Sequence, residues 1–258
     1  MEKRARRGDK EGRSMIVFHN AGKSFGNTVA LQPADLEIAS NKTTVLIGLS
    51  GSGKSTILRL ISGLLEPTTG WIEIDGEKLT RDNLPDLRRR MGYVFQSGDL
   101  FPHLTARQNI LLVAQELRVG MDEMTARIAE LCGLARLPAA LLDRYPVELS
   151  GGEQRRVSLI RALMLKPDIL LLDEPMGALD PMVRAGLLTD LKSLFDRLNT
   201  TVVLVTHDLL EAARLGDWVV LLNAGKIVQQ GAYAELSMCP AEPFVSEFFH
   251  AQMEDIHS

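Results

Sequence analysis

The sequence predicts an α/β protein, a parallel sheet covered by helices, with an antiparallel β subdomain ahead of it and a helical subdomain inserted midway. Three observations carry this. From 152 to 205, short apolar strands alternate with helix-length segments, as strand-helix-strand crossovers do. Near the N-terminus, strand-like stretches are broken by Gly26-Asn27 and Asp75-Gly76, both hairpin turn signals. Between His103 and Tyr145, helix formers dominate and strand signals are few.

Taken in order, residues 1–14 form a basic leader, expected to be disordered, that holds Lys3, Arg4, Arg6, Arg7, Lys10 and Arg13, with no apolar stretch after it that fits a secretion signal. A single domain is expected over 15–240. Met15 to Ile38 reads as a hairpin or small antiparallel sheet, and Thr43 to Ile47 as a short buried strand running into a helix from Lys54 to Leu64. Trp71 to Ile74 opens a second hairpin, and Trp71 and Trp218 are expected in core or hairpin packing. The helical subdomain, about 97–150, carries helices near Ala106 to Leu117 and Met121 to Leu131. After it come a helix over 152–165, a strand over 169–172, a helix over 181–198 and a strand over 201–205. A hairpin turns at Asn223-Ala224-Gly225-Lys226, and 241–258 is a helical tail beginning at Pro243.

Hydrophobic residues make up 45% and charged residues 24% of the 258, ordinary globular usage that excludes a disordered or fibrous chain. No apolar run reaches the roughly 18 to 20 residues that cross a bilayer, so any membrane role must come from a partner. The net charge of -4 argues against a nucleic-acid surface. Cys132 and Cys239 form no CxxC pattern, and nothing requires an oxidising compartment.

The chemistry begins at Gly48-Leu49-Ser50-Gly51-Ser52-Gly53-Lys54-Ser55-Thr56, a full match to the phosphate-binding P-loop in its strand-turn-helix context. Glycines let the backbone N–H groups turn inward on a polyanion, and the helix start adds its positive end. Lys54 supplies a point charge for the β and γ phosphates, and the Ser55 hydroxyl is a ligand for Mg²⁺. Such a loop alone leaves kinases, GTPases and motor ATPases open. Leu149-Ser150-Gly151-Gly152-Glu153-Gln154 opens a later helix with a serine N-cap and bare first N–H groups, suited to a second phosphate contact. The strand 169–172 ends in Asp173 and Glu174, and burial of the strand pushes both carboxylates to its carboxyl end, where open α/β sheets bind ligands. Asp173 suits Mg²⁺; Glu174 suits orienting or deprotonating a water.

In this order, the P-loop, Gln96 after Gly92-Tyr93-Val94-Phe95, Leu149 to Glu153, Asp173-Glu174, Ala178-Leu179-Asp180 and His207 resemble the ATPase subunits of ABC transporters. The resemblance spans roughly Met15 to Leu236. It implies a P-loop NTPase (ABC ATPase) core, with an antiparallel β subdomain and a helical subdomain inserted between the P-loop and the signature motif. It also implies roles: Gln96 touching Mg²⁺ or the attacking water, Asp180 in the D-loop, His207 as the switch histidine, and Phe25 stacking on adenine. Leu87-Arg88-Arg89-Arg90-Met91-Gly92-Tyr93, Leu100 to Thr105, Asp143 to Pro146 and Gly177 to Pro181 are similar to the importers of quaternary amines such as glycine betaine, carnitine or choline. The expected ligands are ATP and Mg²⁺. The expected partners are a second ATPase subunit, a copy of this chain; transmembrane permease subunits; a substrate-binding protein; and no nucleic acid, at the cytoplasmic face of the cell membrane. An exporter, a lipid-trafficking system and a soluble non-transport ATPase remain open.

Three departures from the family pattern stand out. Glu153 replaces the glutamine of LSGGQ, which either slows closure of a dimer or faces away. Gln154-Arg155-Arg156 differs from the common glutamine run. Many ATPases of the osmoprotectant branch carry paired regulatory domains after the cassette; the sequence stops at Ser258, and control through such domains is not expected.

Overall fold

The structure, a computed structural model, describes residues 14–96, 100–176 and 181–254. Strands β1 (Ser14–Phe25) and β2 (Thr28–Ala39) form a long hairpin, and β3 (Thr43–Gly48) leads through the glycine-rich loop into α1 (Lys54–Ile61). Next come β4 (Thr69–Ile74), β5 (Glu77–Lys78), α2 (Leu84–Arg89) and β6 (Met91–Val94). Helices α3 (Ala106–Glu116) and α4 (Met121–Leu134) precede α5 (Gly151–Leu163). The alternation then runs β7 (Ile169–Asp173), α6 (Pro181–Leu198), β8 (Thr201–Val205) and α7 (Leu209–Leu215). The chain closes with β9 (Trp218–Asn223), β10 (Lys226–Gly231), α8 (Tyr233–Met238) and α9 (Pro243–Glu254).

Two sheets result. One is antiparallel, in the order β2-β1-β4-β5; the other runs β10-β9-β3-β8-β7-β6, parallel throughout except for β10 at its edge. Helical crossovers cover both faces of the second sheet, which is why β3, β7 and β8 are buried at every position and read as unbroken apolar runs. Side chains still alternate between faces. Leu46, Leu171, Val203 and Val205 join one core with Phe18, Ile38, Ile72 and Ile74 of the antiparallel sheet, whereas Val45, Ile47, Leu170, Leu172, Val202 and Leu204 join the other with α3, α4 and α5. Helix α1 buries Ile57, Leu58, Leu60 and Ile61 in the first of these cores, so the start of the helix is held rigidly between the sheets.

The structure adds α2, β6, α7 and α8 to the elements expected from the sequence, and α1 ends at Ile61 rather than Leu64. A four-residue strand and six- or seven-residue helices are too short to show a period. Neither tryptophan enters a core. Trp71 is 42% exposed and stacks on His19 of the neighbouring strand β1, with ring centroids 4.7 Å apart, and Trp218 is 40% exposed at the start of β9.

Candidate functional site

The glycine-rich loop leaves β3 at the carboxyl edge of the parallel sheet. Its glycines have local causes. Gly53, the N-cap of α1, sits at φ 103, and a Cβ there would lie 2.5 Å from the Ala30 carbonyl oxygen. At Gly48, φ 142, a Cβ would collide with the Leu222 carbonyl. With glycine at its cap, α1 receives no side-chain hydrogen bond at its start, and its first N–H groups have no intrahelical partner. The loop is braced from outside: the Gly225 N–H donates to the Ser52 carbonyl at 3.1 Å, and the Gln32 N–H donates to the Gly225 carbonyl at 2.7 Å. Sequence reasoning identified the Asn223 to Lys226 turn but gave it no part in the site. No local signal could have, because the contact joins residues far apart in the chain.

Lys54 is buried and turned into its own loop, donating to the carbonyls of Gly48 and Leu49 at 2.8 Å each and to Ser52 Oγ at 3.5 Å. Burial lowers its pKa, against the opposing pull of Glu174 and Asp173. The next residue, Ser55, donates from Oγ to Asp173 Oδ1 at 3.0 Å, which ties the helix start to the end of β7. Burial raises the Asp173 pKa more than the Ser55 hydrogen bond lowers it, and the Glu174 charge adds to the rise. An ionised Asp173 is therefore short of compensating positive charge. A hydroxyl, a carboxylate and the amide oxygen of Gln96 are hard oxygen donors, and this set fits Mg²⁺ completed by phosphate oxygens and water.

Glu174 follows the strand in the left-handed region, at φ 47, with its N–H donating to the Val205 carbonyl at 2.9 Å. A non-glycine residue there is strained, a condition that gathers at functional sites. The bend swings the carboxylate between two other predicted residues. Gln96 Nε2 donates to Glu174 Oε2 at 2.8 Å, and His207 Nδ1 lies 3.5 Å from Glu174 Oε1. His207 is well exposed, just past β8, and Gln96 is exposed just past β6. Three adjacent parallel strands thus deliver Gln96, Asp173-Glu174 and His207 to one edge, beside Lys54 and Ser55.

Phe25 ends β1 half-exposed, with Lys23 Nζ 5.2 Å from its ring centre. Its hairpin borders the glycine-rich loop, since Ala30 lies against Gly53. Ser50 and Gly51 are exposed, Ser52 is buried, and Thr56 is half-buried. Ser150 caps α5 on an exposed surface and forms a reciprocal capping box with Glu153. Among the described residues, the hydrogen bonds of the Ser150 side chain stay within that box and none reaches the Lys54 cluster. Asp180 lies outside the described residues, as do Gly177, Ala178 and Leu179.

The profile of the ABC transporter family matches residues 31–177, more than half of the chain. The chain belongs to the ABC transporter family. A relative from Thermosynechococcus vestitus, the sulfate/thiosulfate import ATP-binding protein CysA, is 46% identical over 90% of this chain and 68% of its own length. The glycine betaine/carnitine/choline transport ATP-binding protein OpuCA of Bacillus subtilis is 45% identical over 91% of this chain, which spans only 62% of OpuCA. A solved dimeric bacterial ABC transporter cassette superposes with a TM-score of 0.78 at 36% identity, over 85% of this chain and 99% of that one. This ABC chain therefore shares the cassette with longer relatives whose names give different cargoes.

Proposed function

We propose that the chain is the ATP-binding and hydrolysing subunit of an ABC importer, working on the cytoplasmic face of the cell membrane through separate permease subunits. The observation that supports this most directly is the meeting of Lys54, Ser55, Asp173, Glu174, Gln96 and His207 at one edge of the parallel sheet. Lys54 exchanges the Gly48 and Leu49 carbonyls for the β and γ phosphates of ATP, while the N–H groups from Gly48 to Thr56 surround the phosphate chain. Ser50 and Ser52 complete the loop, and Phe25 offers its exposed ring to the adenine. Ser55, Asp173 and Gln96 would hold Mg²⁺, which when bound neutralises charge on the phosphate oxygens. Glu174 aligns and deprotonates the attacking water, and His207 and Gln96 hold its carboxylate in place until the γ-phosphate enters.

The second half of the site comes from another copy. Gly151 supports this reading by what it lacks: its backbone does not need glycine, and a Cβ there would meet nothing of this chain within 4 Å. The space at that helix start is open to a contact from outside the chain. In the head-to-tail dimer, Ser150, Gly151 and Gly152 close over the γ-phosphate held by the partner's loop. ATP binding draws the two copies together and hydrolysis releases them, a ligand-driven closure passed to the permease through Gln96 and the helical subdomain.

The cargo we propose is a quaternary-amine osmoprotectant delivered by a substrate-binding protein; the name of OpuCA gives glycine betaine, carnitine and choline transport for that relative. Sulfate is the second reading, because the CysA relative is similar to this chain to the same degree. Reconstitution with the membrane partners decides between them by which solute stimulates ATP turnover: glycine betaine, carnitine and choline on one side, sulfate and thiosulfate on the other. The ATPase assignment is tested in the isolated chain. Glu174→Gln should bind ATP and accumulate as a closed dimer, with turnover down by at least about 100-fold, whereas Lys54→Ala should lose nucleotide binding. Parent-rate hydrolysis by the Glu174 variant would remove the proposed base.

A further inference from the structure

We infer that Glu153 is a built-in competitor for the signature serine, a positioning residue that sets how much ATP the chain requires before two copies close. This rests on the reading that Ser150 contacts the γ-phosphate held by a partner copy. Glu153 is the third residue of α5, and its Oε2 accepts both from the Ser150 N–H at 2.7 Å and from the Ser150 hydroxyl at 2.9 Å. The return bond from the Glu153 N–H to Ser150 Oγ is long, at 3.4 Å. A hydroxyl has one proton to donate. While that proton is committed to Glu153, Ser150 presents only lone pairs outward, which repel an incoming phosphate. Closure therefore requires the hydroxyl to leave a carboxylate for the γ-phosphate, and it sets the Glu153 charge beside a polyanion.

A neutral amide changes both terms and keeps the cap. Glutamine at this position of a capping box still accepts from the N-cap N–H. It is a weaker acceptor for the serine proton and carries no charge to oppose the triphosphate. Removing a like charge facing a polyanion at a protein surface should shift the ATP requirement by about tenfold per site, and less as salt is raised.

The test compares Glu174→Gln alone with Glu153→Gln/Glu174→Gln, measuring by sedimentation the ATP concentration that half-converts monomer to dimer, and the melting temperature without nucleotide. The double variant should need about tenfold less ATP at an unchanged melting temperature, and the gap should narrow as salt is raised. Glu153→Ala/Glu174→Gln removes the cap with the charge: it should melt earlier and still close at lower ATP than Glu174→Gln alone, which a purely structural role for Glu153 cannot produce. An equal ATP requirement with and without Glu153, or a shift indifferent to salt, overturns the inference and leaves the ATPase assignment standing. A Glu174→Gln chain that stays monomeric at every ATP concentration overturns the assignment itself.

Discussion

Asp173 and Glu174 are neighbours in the chain with opposite conformational circumstances. Asp173 ends a regular strand, buried and hydrogen-bonded to Ser55; Glu174 is bent to φ 47 and reaches Gln96. The pair of acids was legible from the sequence, because a buried apolar strand can place them only at its end. The bend was not, since nothing local demands a left-handed glutamate; the Glu174 N–H bond to Val205 in the neighbouring strand holds it. Burial raises the Asp173 pKa, so its charge opposes folding of the nucleotide-free chain. Asp173→Asn should accordingly raise the melting temperature of that chain, by about 2–4 °C for each kcal/mol of relieved cost, while turnover with Mg-ATP falls by about 100-fold or more. Calorimetry and phosphate release check the two halves, and a lower melting temperature would contradict the account of the charge.

At the scale of elements, α5 has an exposed cap at Ser150 and a buried body. Val157, Ser158, Leu159, Ile160 and Leu163 are buried, and the helix packs on α3, α4 and β6. Its first turn is partly exposed, and its cap hydrogen bonds are local. Ser150→Ala should cost about 0.5–1 kcal/mol in denaturant unfolding, at the low end for a lost cap because the hydroxyl accepts at 3.4 Å. It should also weaken ATP-dependent dimerisation far more than that loss of stability explains. The position and cap of this helix were legible in Ser150-Gly151-Gly152. The posture of Glu153 was not, because either direction is compatible with the motif, and the structure turns its carboxylate back onto the cap. Short elements such as α2 and β6 escaped notice for want of length, although β6 is the strand that carries Gln96 to the site.

Across the whole molecule, Arg90 adds a charged link between the two sheets to their shared core and the Gln32–Gly225 hydrogen bond. Arg90 donates from Nε to Asp168 Oδ2 and from a terminal nitrogen to Asp75 Oδ2, each at 2.8 Å, bridging the β4–β5 hairpin and the entry to β7. All three side chains are half-buried. Arg90→Gln should lower the unfolding free energy by about 1–3 kcal/mol, read from the denaturation midpoint, because two carboxylates lose a shared charged donor. The layered α/β plan could be read from the alternation of 152–205, whereas the order of strands could not, since pairing joins distant segments. That order places β3, which carries the glycine-rich loop, between β8 and β9, and the β9–β10 turn buttresses the loop through Gly225. During synthesis on the ribosome, the nucleotide-gripping segment emerges early, but the strands that flank it and the turn that props it come from the last third of the chain. The glycine-rich loop is therefore buttressed only after β8, β9 and the β9–β10 turn have all been made.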